Sequence, residues 1–337
     1  MLKLGISRLE DYYALQPSGS LTARLRSVFT RNRISFQLLR TAMPPEAGEV
    51  KRFEAIMHTM QLNSGVYRTT ARNRFHDLDR FINGLLGARY SADQTFEIQD
   101  WAASDCLTSV EWAESLFALF PKLRLVCSDL MLALIEVQLD DGSAFILQGD
   151  GEPLQYIRRP FVIRLGPLEP KWLPVNHLLA RRALAKLRTI KTQIEIPAGW
   201  LESPGETLPA PPFQLRKIHA VHPEAQALQA RDGRFLIRRH SVFEALQEPV
   251  DVIRTMNIFN RIYFSDERLL AGAQAVWSSL KPGGLWIVGR TWSDNPPTNH
   301  ATVLERTADG FQLVEKYGEG SEIVPLVVKR AFEVQTV

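Results

Sequence analysis

Between the short apolar run FEIQ, 96–99, and a helical stretch, the chain reads Asp100-Trp101-Ala102-Ala103-Ser104-Asp105-Cys106. An acidic residue followed by small side chains at every second place, Ala102, Ser104 and Cys106, makes a loop that lets backbone approach a ligand closely. That is the spacing at which nucleotide sites use glycine. The next apolar run, LRLVCSD, ends on Asp129, where a carboxylate can accept both hydroxyls of a ribose. An Asp at that place equally reads as the N-cap of a following helix. Arg254 stands inside the apolar run VDVIRTM, where a charge is costly unless paired, so it either meets an acidic substrate or cofactor group or closes a structural ion pair. His219 and His222 form an HAVH pair without a third ligand at zinc spacing, and Cys106 and Cys127 make no CxxC. No metal site and no disulfide framework is expected.

These residues need strands and helices to hold them. The run 96–100, a loop, the helical spacing of Val110, Ala113, Phe117 and Phe120, and then LRLVCSD predict a β-α-β unit with parallel pairing. The alternation resumes with RFLIRRH, then VDVIRTM, then a helix bearing Leu269, Leu270, Ala273, Val276, Trp277 and Leu280, and then LWIVGRTW. The last part, ATVLERTADGFQLVEKYG, reads as a hairpin around Asp309-Gly310. The predicted class is therefore α/β: a Rossmann-like, seven-stranded, mostly parallel sheet with a C-terminal antiparallel hairpin.

Ahead of it, 1–90 reads as a helical domain, with Phe53, Ile56, Met57 and Met60 on one face and Leu78, Phe81, Ile82 and Leu85 on another. The stretch from Leu21 to Arg40 carries Arg24, Arg26, Arg31, Arg33 and Arg40 and reads as a solvated basic helix face or a surface for an anionic partner. The domain from 91 to 337 is interrupted at about 137–215 by an insertion of β-rich runs with Asp141-Gly142 and Asp150-Gly151 as turns. A basic helix near Val175–Lys191 follows, and then a proline-rich segment expected to lack regular structure.

In its 337 residues the chain sets 40 Lys and Arg against 37 Asp and Glu, with 45% hydrophobic residues. Disordered, collagenous and coiled-coil classes are excluded by that composition, and the small net charge gives no nucleic-acid footprint. Charges interrupt the amino-terminal residues where a secretion signal needs an apolar stretch, and no run of about 18 apolar residues suggests a membrane span. A reducing cytoplasm suits two isolated cysteines.

These residues resemble the class I S-adenosylmethionine-dependent methyltransferases, whose acidic-x-G-x-G-x-G loop matches Asp100, Ala102, Ser104 and Cys106 and whose second acidic residue matches Asp129. VDVIRTMNIFNRIYF followed by LKPGGLWIVG is similar to the chemotaxis-receptor glutamyl methyltransferases, through Asp251, Ile253, Asn257, Tyr263, Phe264, Pro282, Gly283 and Gly284. The resemblance covers roughly 95–135 and 215–320. It departs at Ser109 and Val110, which replace an acidic pair, and at the insertion, which argues against receptor glutamates as substrate.

The resemblance implies S-adenosylmethionine as cofactor, held by Asp100, Ala102, Ser104, Asp105, Asp129 and Leu130, with His240, Ser241 and Val242 flanking the adenine. It places Asn257 at the reacting centre, although a strand-end cap reads equally well there. Arg254 and His240 complete the candidate catalytic set. His240 would be a base only for a hydroxyl acceptor, because a carboxylate is already ionised at neutral pH. Tyr156, Arg158 and Tyr263 are the candidate substrate contacts, with Arg159 and Trp200 in the same conjectured cover. The expected activity is O-methylation of a carboxyl or hydroxyl group on a small acidic metabolite or peptide. The alternative is a non-catalytic adenosyl-ligand binder or interaction protein, since all three loop glycines are replaced. A nicotinamide oxidoreductase on the same sheet is disfavoured by the hairpin and the LKPGG run. The sequence leaves the oligomeric state open.

Overall fold

The computed structural model describes residues 2–14, 30, 33–63, 68, 70–197, 199–203 and 205–332. Arg24, Arg26 and Arg31 of the basic stretch lie outside the described residues. Elements run α1 (Leu9–Tyr13), a 3-10 turn (Phe36–Leu39), α2 (Ala47–Met57), α3 (His76–Arg89), β1 (Glu97–Trp101), α4 (Leu107–Leu119) and β2 (Arg124–Asp129). Next come β3 (Ala133–Gln138), β4 (Ala144–Leu147), β5 (Pro153–Arg158), β6 (Phe161–Arg164), α5 (Pro174–Lys191), a 3-10 turn (Trp200–Glu202), β7 (Thr207–Ala210) and β8 (Phe213–His219). The remainder is α6 (Pro223–Arg231), β9 (Phe235–Arg239), β10 (Val250–Met256), α7 (Asp266–Ser279), β11 (Leu280–Trp292), β12 (Thr298–Arg306), β13 (Phe311–Tyr317) and α8 (Val324–Val327).

Two compact units result, one of Met1–Thr69 with Met131–Pro223, the other of Thr70–Leu130 with Glu224–Val337. The division differs from a helical domain over 1–90 followed by an interrupted sheet domain. Among the described residues of 1–69, Phe36, Phe53, Ile56, Met57 and Met60 share one core with Leu134, Ile146, Leu154, Ile157 and Ile218 of the antiparallel strands. That sheet has the order β6-β5-β4-β3-β8-β7. Its other face buries Ile135, Val137, Phe145 and Leu215 with Ala180, Ala183 and Leu187 of α5. Burial on both faces accounts for the unbroken apolar run Ala144–Leu147 of β4, all four residues of which are buried.

The proline-rich segment corrects its expectation of no regular structure. It forms the turn at Trp200 and strand β7, which pairs with β8 at the sheet edge. An edge strand tolerates Pro209 because the missing N–H is needed on one side only.

In the other unit the order is β13-β12-β11-β10-β1-β2-β9, with β9, β2, β1, β10 and β11 parallel and the β11-β12-β13 meander antiparallel. This is the mostly parallel seven-stranded α/β sheet with an antiparallel C-terminal end that the alternation predicts. From β1 the chain turns to β2 on one side while β10 lies on the other, so a topological switch point falls at the C-terminal end of β1. Right-handed crossovers set α4 and α7 on opposite faces. Asp100 accordingly meets Ser109 of α4, while its neighbour Trp101 packs with Leu269, Val276 and Trp277 of α7. Among the described residues no helix is long and apolar enough to cross a membrane.

Candidate functional site

At the switch point the loop leaving β1 carries three non-glycine residues in the left-handed region, Ala102 (φ 56°), Ser104 (φ 57°) and Cys106 (φ 67°). An L-residue there costs about 1–2 kcal/mol because Cβ crowds the following carbonyl. The alternation of small residues therefore reflects a backbone that turns left-handed three times, with Cys106 forming the N-cap of α4. Two bonds from β2 fix it: Ala103 N–H donates to the Ser128 carbonyl at 2.9 Å, and Ser104 N–H donates to Asp129 Oδ2 at 2.9 Å. Asp105 accepts from Leu107 N–H at 3.2 Å and is buried, whereas Leu130 stands 57% exposed beside Asp129. The buried Cys106 thiol is pushed up by its hydrogen bond to Cys127 and by burial.

Below the loop, Arg254 is fully buried and its guanidinium forks onto Asp100, with Nε 2.9 Å from Oδ1, and reaches Asp79 Oδ1 at 2.7 Å. Burial works against its charge, but the two carboxylates outweigh it and raise its pKa. Asp100 also accepts from Ser109 Oγ at 2.6 Å. The candidate roles of Arg254 in catalysis and of Asp100 as a direct cofactor contact are thus corrected to an internal ion pair that braces β1 against β10. Each satisfies the other, and neither is exposed. Asp79, on α3, was not singled out in the sequence because an aspartate in a helix's first turn is ordinary.

On the opposite face the His240 ring lies 4.4 Å from that of Trp101, and the His240 backbone N–H donates to the Asp129 carbonyl at 3.2 Å. Burial pushes its pKa down against the opposing pull of Glu244. Ser241 accepts from Phe243 N–H, and Val242 is buried in the core with Trp101.

Asn257 takes φ 64° at the end of β10, where its N–H donates to the Gly289 carbonyl at 2.8 Å and its Oδ1 accepts from Thr291 N–H at 2.7 Å. This is the strand-end cap, built from the side-chain oxygen. Beside it lies a residue missed in the sequence, Arg74, whose Nε donates to Thr291 Oγ1 at 3.1 Å. Burial lowers the Arg74 pKa, opposed by the neighbouring Tyr263. No local pattern marks it, because its partner Thr291 lies 217 residues away in the chain.

Tyr156 and Arg158 belong to the other unit, where Tyr156 is a core side chain against Phe145 and near Lys186 Nζ. Its candidate role as a substrate contact gives way to packing, since 9% exposure leaves little ring surface for a ligand. Trp200 is likewise buried, against the Lys217 ammonium. His222 pairs with Glu54, and no group of three or more potential metal-ligating side chains occurs among the described residues.

No protein-family model matches the chain, and no curated protein matches it significantly. Solved structures similar to it include the CMeT domain of the citrinin polyketide synthase, with 10% identity over 82% of this chain and 47% of that one and a TM-score of 0.33. SAM-bound CalS10, an amino pentose methyltransferase from Micromonospora echinaspora, shows 12% identity over 71% and 66%, with a TM-score of 0.28. PKMT2 from Rickettsia typhi, in complex with AdoHcy, shows 10% identity over 58% and 21%, with a TM-score of 0.25. The match thus spans from about a fifth to two thirds of these structures' own lengths. Such overlaps state what the chain is similar to and assign it neither activity nor substrate.

Proposed function

We propose that the chain is an S-adenosylmethionine-dependent methyltransferase acting on a carboxyl oxygen of a small acidic metabolite. The observation that carries the reading is the thrice left-handed loop Ala102–Cys106, tied to Asp129 at the switch point of a parallel sheet. A loop of this shape presents backbone to a ligand, and Asp129 offers a carboxylate for a ribose diol. Leu130, exposed beside it, offers an apolar surface for a base. When bound, the cofactor supplies an electrophilic methyl group on a sulfonium.

At the ends of β10 and β11, Arg74 supplies a guanidinium that can hold a carboxylate in a fixed orientation. Asn257 fixes the strand corner beside it through Thr291. In-line displacement mainly requires such orientation, worth up to about 7–11 kcal/mol of barrier in the best intramolecular cases. A carboxylate acceptor needs no base; with a hydroxyl acceptor His240, kept neutral by burial, would have to take the proton.

The first test is calorimetric titration with S-adenosylmethionine and S-adenosylhomocysteine, with Asp129→Ala as control. Micromolar binding abolished by that substitution supports the cofactor assignment, provided thermal melting shows that the variant folds despite losing the Ser104 brace. Absence of binding to the folded wild type overturns it. A second reading, adenosyl-ligand binding without turnover, is favoured by the β-carbons at 102, 104 and 106. Methylated product from a panel of carboxylic acids would eliminate it.

A further inference from the structure

The basic helix α5 and the Arg158-Arg159 pair have no part in the loop site, yet the antiparallel unit brings them together. Between residues 153 and 194 the chain carries nine Lys and Arg against one acidic residue, Glu169, in a protein whose overall charge is nearly balanced. Glu169 is buried against Arg33. Lys186 and Lys191 are paired with Asp141 and Glu152, and Arg164 donates to Gln61. The other six, Arg158, Arg159, Lys171, Arg181, Arg182 and Arg188, are exposed and make no ion pair among the described residues.

Beside this charge lies an apolar patch. α5 buries Asn176, Ala180, Ala183 and Leu187. Its solvent face therefore runs Val175, Leu178, Arg181 with Arg182, Ala185 and Arg188, by helical spacing. The first two are apolar, and they continue a patch that begins in the preceding loop: Trp172 is 72% exposed, with Leu168, Val175 and Leu178 at 43–49%. Single exposed apolar side chains are ordinary, but a cluster marks an interaction surface. The arginines of the β5–β6 turn are held close to it. Lys3 N–H donates to Asn176 Oδ1 at 2.8 Å, and Gly5 N–H donates to the Pro160 carbonyl at 3.1 Å. Two residues of chain, at most about 7 Å, separate these anchor points. Exposed Leu2 precedes them. The apolar patch thus has Arg181 and Arg182 along the helix on one side and the Arg158-Arg159 turn on another.

We infer that this face of the antiparallel unit docks on an anionic lipid surface, with Trp172, Leu168, Val175 and Leu178 entering the headgroup region and the arginines meeting lipid phosphates. Charge complementarity selects an acidic partner. The apolar cluster selects a bilayer among acidic partners: tryptophan favours the membrane–water interface, and basic residues around a shallow apolar insertion are the pattern of reversible peripheral binding. A nucleic acid would engage the arginines and leave the leucine and valine surface wet. The inference does not rest on methyl transfer.

The test uses the full chain and two kinds of vesicle, phosphatidylcholine alone and phosphatidylcholine mixed with phosphatidylglycerol, read by co-sedimentation. Binding is expected to the mixed vesicles only and to fall with added salt, which screens the attraction. Replacing Arg181 and Arg182 by Gln should weaken it about fivefold for each arginine. Trp172→Ser should weaken it about tenfold. Lipids with brominated acyl chains should quench part of the wild-type fluorescence, and that part should be absent in Trp172→Phe. All these positions are exposed, so the variants should fold, and melting curves check this. The proposal is overturned if both vesicle types bind alike or neither binds, if the arginine variant binds as tightly as the wild type, or if no quenching depends on Trp172. It also falls if sedimentation equilibrium shows a dimer that Trp172→Ser dissociates, which would make the patch an interface between copies. Binding of poly-glutamate with the same dependence on Trp172, without vesicle binding, would assign the face to an acidic protein instead.

Discussion

Arg254, in β10, places its guanidinium on Asp100, its register partner in β1, 154 residues earlier in the chain, and extends its other arm to Asp79 of α3. The pair joins the two strands whose ends form the switch point, at a depth where solvent cannot replace either partner. Removing one partner of a buried pair leaves an uncompensated charge. Arg254→Met should therefore destabilise the chain by about 3–5 kcal/mol, read by urea denaturation. A loss below 1 kcal/mol would show that the cluster is solvated.

Two carboxylates against one guanidinium leave the cluster short of positive charge. Burial, with Asp100 adding to it and Arg254 opposing, pushes Asp79 up to about 7. The unfolded chain releases that proton near pH 4 and the folded chain near pH 7. The folded form thus binds more protons between these values, so this group's contribution makes stability fall as pH rises through the window, by up to about 4 kcal/mol. Denaturation midpoints from pH 5 to 8 should show the decline, and Asp79→Asn should flatten it. An unchanged slope in Asp79→Asn would place the titration elsewhere.

The left-handed loop predicts an unusual sign for a glycine substitution. Ala102→Gly should stabilise the chain, or at worst leave it unchanged, because relief of about 1 kcal/mol of left-handed strain offsets the added freedom of the unfolded backbone. Ala102→Val should destabilise it by more than 1 kcal/mol, since a β-branched residue resists this conformation. Thermal melting of the two variants distinguishes strain in this loop from ordinary loop tolerance.

Arg74 gives the acceptor prediction. Once a methyl acceptor is found, Arg74→Gln should raise its KM at least tenfold when the acceptor carries a carboxylate and change the S-adenosylmethionine Kd less than twofold. Equal effects on both constants would mean that Arg74 only supports the corner at Thr291.

Close approach of β11 to β12 is tested at Gly289, where an added β-carbon would lie 2.3 Å from the His300 carbonyl oxygen and 2.7 Å from Ala301 Cβ. Backbone cannot yield as a flexible side chain does, so Gly289→Ala should cost about 1–3 kcal/mol. The same change would disturb Asn257, whose N–H donates to the Gly289 carbonyl.

Local patterns determined much of this. Alternating runs and the Asp309-Gly310 turn were sufficient to predict the parallel strands and the antiparallel end, because strand and helix periodicities are properties of neighbouring residues. The small residues at 102, 104 and 106 announced a loop needing unusual backbone freedom, and Asp129 announced a carboxylate at the next strand end. What pairs with what was decided only by tertiary structure. Arg254 could have met a ligand or a carboxylate, and its choice of Asp100 and Asp79 depends on strand register and on α3 lying above β10. Residues 1–69 could not be assigned to the antiparallel unit, because their apolar faces show that burial is required but not which surface provides it. Arg74 was invisible for the same reason: an arginine has no sequence period of its own, and its role is set by residues distant in the chain.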